Sequence, residues 1–109
     1  MREVSGDASI EFSRAIRGKF ANFDTVFSLH ELTSRSWASV TFSGARHRID
    51  FTLAGPDAGT AADVLLGNLE EAEFNLRGHI LADLSLVAED RGEAGKVRIS
   101  LEALTVEDN

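Results

Sequence analysis

The stretch ARHRIDFTLAG, residues Ala45–Gly55, constrains the fold of this 109-residue chain more than any other. His47, Ile49, Phe51 and Leu53 alternate with Arg46, Arg48, Asp50 and Thr52, the two-residue period of a strand with one face in a core and the other in water. That period separates three adjacent basic residues, sending Arg46 and Arg48 to the polar face and His47 to the rim of the apolar one. Just upstream, Ala38, Val40 and Phe42 alternate with Trp37, Ser39 and Thr41, and the turn residues of SGAR join the two runs into a hairpin. Gly55-Pro56-Asp57 ends the strand, and Asp57 is placed to cap a following helix.

From about Ala58 to Leu76, Ala61, Val64, Leu65, Leu69 and Ala72 recur at three- and four-residue steps while Asp63, Glu70, Glu71 and Glu73 fall mostly off that stripe. The spacing predicts an amphipathic helix with Gly67 inside it and Arg77-Gly78 closing it. Ile80, Ala82, Leu84 and Leu86 alternate next, as do Val97, Ile99, Leu101 and Ala103, with the polar tip EDRGEAGK between them, a second hairpin. Beyond Ala103 the apolar residues Leu104 and Val106 take the other phase, which predicts a bulge or a second buried surface there. Near the start, Phe12, Ile16, Phe20, Phe23 and Phe27 keep helical spacing, with Gly18 and ANFDT as breaks, so a helix is expected near residues 8–20 with Asp7 as its cap. Residues 25–32, TVFSLHEL, fit a strand and a continued helix equally. The fold class is α+β, one domain over 1–109: an antiparallel sheet of four or five strands in two β-hairpins, one amphipathic helix packed on it, and an N-terminal helix. GARHRIDF and GKVRISL share a pattern of turn glycine, basic residue, Arg and Ile; the match is short, and alternation alone generates much of it.

A chain of this length buries roughly 65% of its unfolded surface and needs no staples. It has none in any case: the absence of cysteine rules out disulfides and cysteine-ligated metals. No apolar run approaches the roughly 20 residues of a membrane helix, and MREVSGDASIEF lacks the apolar centre of a signal peptide. A soluble cytoplasmic protein with no membrane partner is expected. The net charge of -7 is unevenly spread: residues 1–55 hold seven basic and six acidic side chains, residues 56–109 four and twelve. An acidic total disfavours nucleic acid.

No catalytic set emerges. There is no nucleophile elbow and no glycine-rich phosphate loop. His30, His47 and His79 lack ligand spacing, and His79 and Asp83 stand roughly 13 Å apart on a strand rising about 3.3 Å per residue, too far for a dyad. No metal and no cofactor are expected. Arg46, Arg48, Lys96 and Arg98 share polar strand faces, where they pair with Asp50, Glu102 or Asp83 across strands or form a patch for an anion. The ligand-binding candidates are accordingly Arg46, Arg48, His47, His79 and Arg98. A more informative pattern is apolar: Trp37, Leu81, Val87, Leu104 and Val106 sit on the polar phase of their strands, so the sheet has apolar groups on both faces. One helix layer covers one face, and the other meets either the N-terminal segment or another chain. The order helix, three strands, helix, two strands is similar to that of the type III secretion chaperones, without their final helix; that resemblance, of element order alone, implies a small acidic dimer. The expected function is a non-enzymatic homodimeric module that binds a protein or peptide through its sheet. The alternative is a binding protein for a small anionic molecule, or a minor enzyme, with a pocket near His47 and His79.

Overall fold

The computed structural model describes residues 8–71, 74 and 76–107. It is the expected α+β fold: α1 (Ala8–Gly18), β1 (Val26–Ala38), β2 (Ser43–Ala54), α2 (Ala58–Gly67), a 3-10 turn (Leu69–Glu71), β3 (His79–Asp90) and β4 (Lys96–Glu107). The four strands form one antiparallel sheet in the order β1-β2-β4-β3. Both helices start 50 residues apart, at Ala8 and Ala58, the same interval that separates Arg48 from Arg98 and Ile49 from Ile99 in the two similar hairpin segments. The chain is thus two αββ units, and the strand order is the one produced by an approximate two-fold axis passing between β2 and β4, perpendicular to the sheet.

Helix α1 forms because Ala8, Phe12 and Ile16 fall four residues apart and make one buried stripe. Helix α2 buries Ala58, Ala61, Ala62 and Leu65, and both stripes join the inner faces of β2 and β4 in a single core. Both helices therefore lie on one side of the sheet. Phe20, Phe27 and Phe51 extend that core as a stack, with Phe27 and Phe51 4.9 Å apart between ring centres. Of residues 25–32, all but Thr25 resolve as strand: β1 runs from Val26 to Ala38 as one long element, so the first unit has two strands rather than three.

Four boundaries differ from the sequence expectation. The first hairpin turns at residues 39–42, four residues early, because Val40 and Phe42 continue the alternation past the end of the core and are exposed at 103% and 60%. Helix α2 stops at Gly67, and Gly78 serves the turn into β3 with φ +78°. Asp57 occupies the N-cap position without capping: its carboxylate accepts the backbone N–H of Asp24 at 2.7 Å, while its own N–H donates to the Asp24 carbonyl at 3.1 Å. Past Ala103, where a bulge or a second buried surface is expected, Leu104 and Val106 stand half-buried on the face opposite the core, and the bulge is absent from β4, whose register with β2 is unbroken from Lys96 to Val106. It occurs in β3 instead, once between Leu81 and Asp83 and again between Leu86 and Ala88, and in β1 between Leu29 and Glu31. Asp7 and Ala72 lie outside the described residues.

Candidate functional site

Directly paired residues of an antiparallel sheet share a face, so register and burial place every strand side chain. Ile49, Phe51, Leu53, Val97, Ile99, Leu101 and Ala103 face the helices, with His47 and Thr105 as the buried polar members. The opposite face has no cover among the described residues. One of its end rows runs Trp37, Gly44, Val106, Ile80 across the four strands, and the next runs Arg35, Arg46, Leu104, Asp83.

The end row is apolar by construction. Trp37 lies over Gly44, where an added Cβ would fall 3.0 Å from its Cζ2 and 1.9 Å from the Thr105 carbonyl oxygen. Only glycine lets the indole settle on the strand there. The indole Nε1 is buried with no hydrogen-bond partner among the described residues, an uncompensated donor of the kind folded proteins seldom keep. Leu104 and Val106 are half-buried, Ile80 is 52% exposed, and Val40 and Phe42 stand exposed on the hairpin tip at the same end.

Of the five apolar residues expected on this face, Trp37, Leu104 and Val106 come together. Leu81 does not: the bulge at Ala82 turns both Leu81 and Leu84 inward, and Leu81 packs against the core while Ile80 takes the open face. Val87 is 43% exposed in the second bulge, far along β3 from the Trp37 row.

Away from that end the face is mostly polar, apart from Val26, Ala54 and Ala88, and it is neutral in sum. Its basic residues are Arg35, Arg46, Arg48, Lys96 and Arg98, and its acidic ones Glu31, Asp50, Asp83, Asp90 and Glu102. The whole net charge of -7 therefore resides elsewhere on the molecule. Two of the predicted cross-strand pairs are present. Arg98 grips Asp50 with Nε at 3.1 Å and Nη2 at 2.7 Å, and Arg48 approaches Glu102 at 3.9 Å. The Arg98 hydrogen bond holds the Asp50 carboxyl below its ordinary range against the opposing effect of burial, and Asp50 in turn raises Arg98. Arg35 stands directly opposite Arg46, and neither these two nor Asp83 enters an ion pair among the described residues. A hollow of about 400 Å³ lies beside Arg35 and Arg46, lined also by Glu31, Thr33, Arg48 and Glu102 among others.

His47 belongs to the other side. It is 1% exposed, its ring centre is 5.9 Å from that of Phe12, and it bridges Ser34 and Thr105: Nδ1 is 2.6 Å from the Ser34 hydroxyl and Nε2 is 2.9 Å from Thr105 Oγ1. Thr105 donates its own proton to the Ala45 carbonyl at 3.3 Å, so it receives from Nε2–H. The ring is thereby fixed, and it ties β1, β2 and β4 together where the helix-covered core ends. His79 begins β3, with Nδ1–H donating to the Arg77 carbonyl at 3.0 Å. Strand β4 and four residues along it, from Ala103 to Glu107, separate it from His47, so the two histidines do not share a site. His30, in the β1 bulge, meets the Thr52 hydroxyl at 2.6 Å. Among the described residues no group of His, Asp and Glu is arranged to hold a metal ion, and no helix is long and apolar enough to cross a membrane.

Sequence reasoning missed Arg35, Ile80, Val40 and Phe42. The alternation around Trp37 puts Arg35 on its face, but only the strand pairing reveals Arg46 opposite it.

Comparison with family models, with curated proteins and with solved structures finds no match to this chain.

Proposed function

We propose that the protein is an interaction module rather than an enzyme, and that it works as a homodimer in which a second copy covers the open sheet face. One observation carries this reading: both helices pack on the same side, which leaves the face that bears Trp37, Ile80, Leu104 and Val106 without cover among the described residues. An antiparallel sheet tolerates water on a polar face. A half-buried tryptophan beside two aliphatic residues and an exposed isoleucine, continued onto a tip with Val40 and Phe42, exceeds what solubility favours. The neutrality of the face also supports self-association, since copies carrying -7 each meet where neither carries net charge.

Sedimentation equilibrium in the low to high micromolar range tests the proposal. Wild-type protein should sediment at twice its 11.8 kDa chain mass, and Ile80→Glu combined with Phe42→Ser should sediment as a monomer with an unchanged far-ultraviolet circular dichroism spectrum. A wild-type monomer throughout that range would overturn it.

A further inference from the structure

Resting on that homodimer reading, we infer that the two copies are related by a two-fold axis lying parallel to the strands, over the line between β2 and β4, and that Arg35 of each copy is recognised by Asp83 of the other.

The register dictates this choice. Two sheets packed face to face with their strands aligned can be related by a two-fold axis parallel or perpendicular to those strands. A perpendicular axis lays the apolar row of one copy over the opposite end of the other, where Thr52, Lys96, Arg98 and Asp90 share the face with Val26 and Ala54. The parallel axis keeps each row at its own height and exchanges its two ends, so Trp37 on β1 lies over Ile80 on the partner's β3, and apolar surface meets apolar surface.

The same operation resolves the charges left without an ion pair among the described residues. Arg35 and Asp83 occupy one row but its opposite ends, on the two edge strands. Three strand spacings of about 4.8 Å keep them apart within a chain. Exchanging the ends puts each over the other across a gap of about 10 Å between sheets, a distance that an extended arginine and an aspartate bridge together. Arg35 then gains an acid, whereas its directly paired neighbour within the chain is Arg46, a destabilising like charge. In the next row Arg48 comes over Glu102 of the partner, adding to the pair each makes within its chain. The area suffices: four strands of about twelve residues present roughly 750 Å² per copy, about 1,500 Å² in the pair, which is the size of a standard stable interface.

Charge reversal tests the geometry separately from dimerisation itself. Arg35 and Asp83 are both exposed, so Arg35→Asp and Asp83→Arg should fold with wild-type far-ultraviolet circular dichroism spectra. Each variant alone sets like charges against each other twice per dimer, and its dissociation constant should rise roughly tenfold or more. Mixed in equal amounts, the two variants form a heterodimer in which both contacts are again opposite in sign, and the affinity should return to near the wild-type value. If wild type dimerises but either variant alone binds like wild type, or the mixture stays weak, this geometry is overturned while the homodimer stands. If wild type is monomeric, both are.

Discussion

The two αββ units share a plan and divide the work unequally. In the first, α1 drives Phe12 and Ile16 into the core; in the second, α2 contributes Ala58, Ala61, Ala62 and a single Leu65. Phe12 and Ala62 stand 50 residues apart, as equivalent positions do, and both are fully buried. A large side chain in one unit thus stands where the other has a small one, so the units agree in topology and not in packing. Charge splits the same way: the first half of the chain is nearly balanced and the second strongly acidic. Similar topology thus leaves room for different surfaces, basic Arg35 and Arg46 at one side of the open face and acidic Asp83 and Asp90 at the other.

Substitutions that make one unit resemble the other should expose this division. Gly44→Ala, which forces a Cβ into the Thr105 carbonyl, should cost about 3 kcal/mol or more in urea unfolding. Gly67→Ala, at the end of α2 with nothing within 4 Å, should change stability by less than about 1 kcal/mol. Phe12→Ala, which gives α1 the residue α2 carries, should lose roughly 3–5 kcal/mol by the same measurement. His47→Val imports the residue found 50 positions on, Val97. It deprives Thr105 and Ser34 of their shared partner and should cost about 1–3 kcal/mol, whereas Ser34→Ala, on the exposed side of that bridge, should cost less.

A smaller effect separates the two cross-strand ion pairs. The folded-state pKa of Asp50 is depressed by Arg98, so the stability from this pair is present above the ordinary carboxylate value of about 3.9 and is lost as the pH falls through the folded value. The gap in unfolding midpoint between wild type and Arg98→Gln should be flat at neutral pH and close under acid. Arg48→Gln, at a looser 3.9 Å contact, should leave a gap too small to follow. Trp37→Phe removes the buried indole N–H, which has no partner among the described residues, and should leave the fold as stable as wild type or slightly more so; a clear loss would reveal a partner for that donor.

The legible parts of the sequence are those where one element obeys one period. Strands β2 and β4 alternate without interruption because neither is bulged, and both could be placed from the positions of Ile49, Phe51, Ile99 and Leu101. Strand β1 was ambiguous for a physical reason: its bulge at His30 turns Leu29 and Leu32 to the same side, a three-residue step that imitates a helix. The bulge at Ala82 similarly exchanged Ile80 and Leu81, moving one predicted interface residue into the core and bringing an unpredicted one out. At the candidate site, the alternation correctly sends Arg46, Arg48 and Arg98 to one face and His47 to the other. What it lacks is register. That Arg35 opposes Arg46, or that Asp83 shares their row, depends on hydrogen bonds between strands, and no residue spacing along the chain encodes them.

The ladder between β2 and β4 also governs how the chain reaches this state. Each hairpin closes over a short turn, whereas Gly44 pairs with Val106 and Ala54 with Lys96, contacts that wait until both units have taken shape. Formation of the central pair is the entropically expensive event, so its rate should set the folding time. Until then each half exposes a bare strand edge and the apolar face that its helix only partly covers. A slow meeting of the halves would leave β2 free to pair with β4 of a neighbouring chain, and exchange of whole αββ units between molecules is the misassembly to which this architecture is most open.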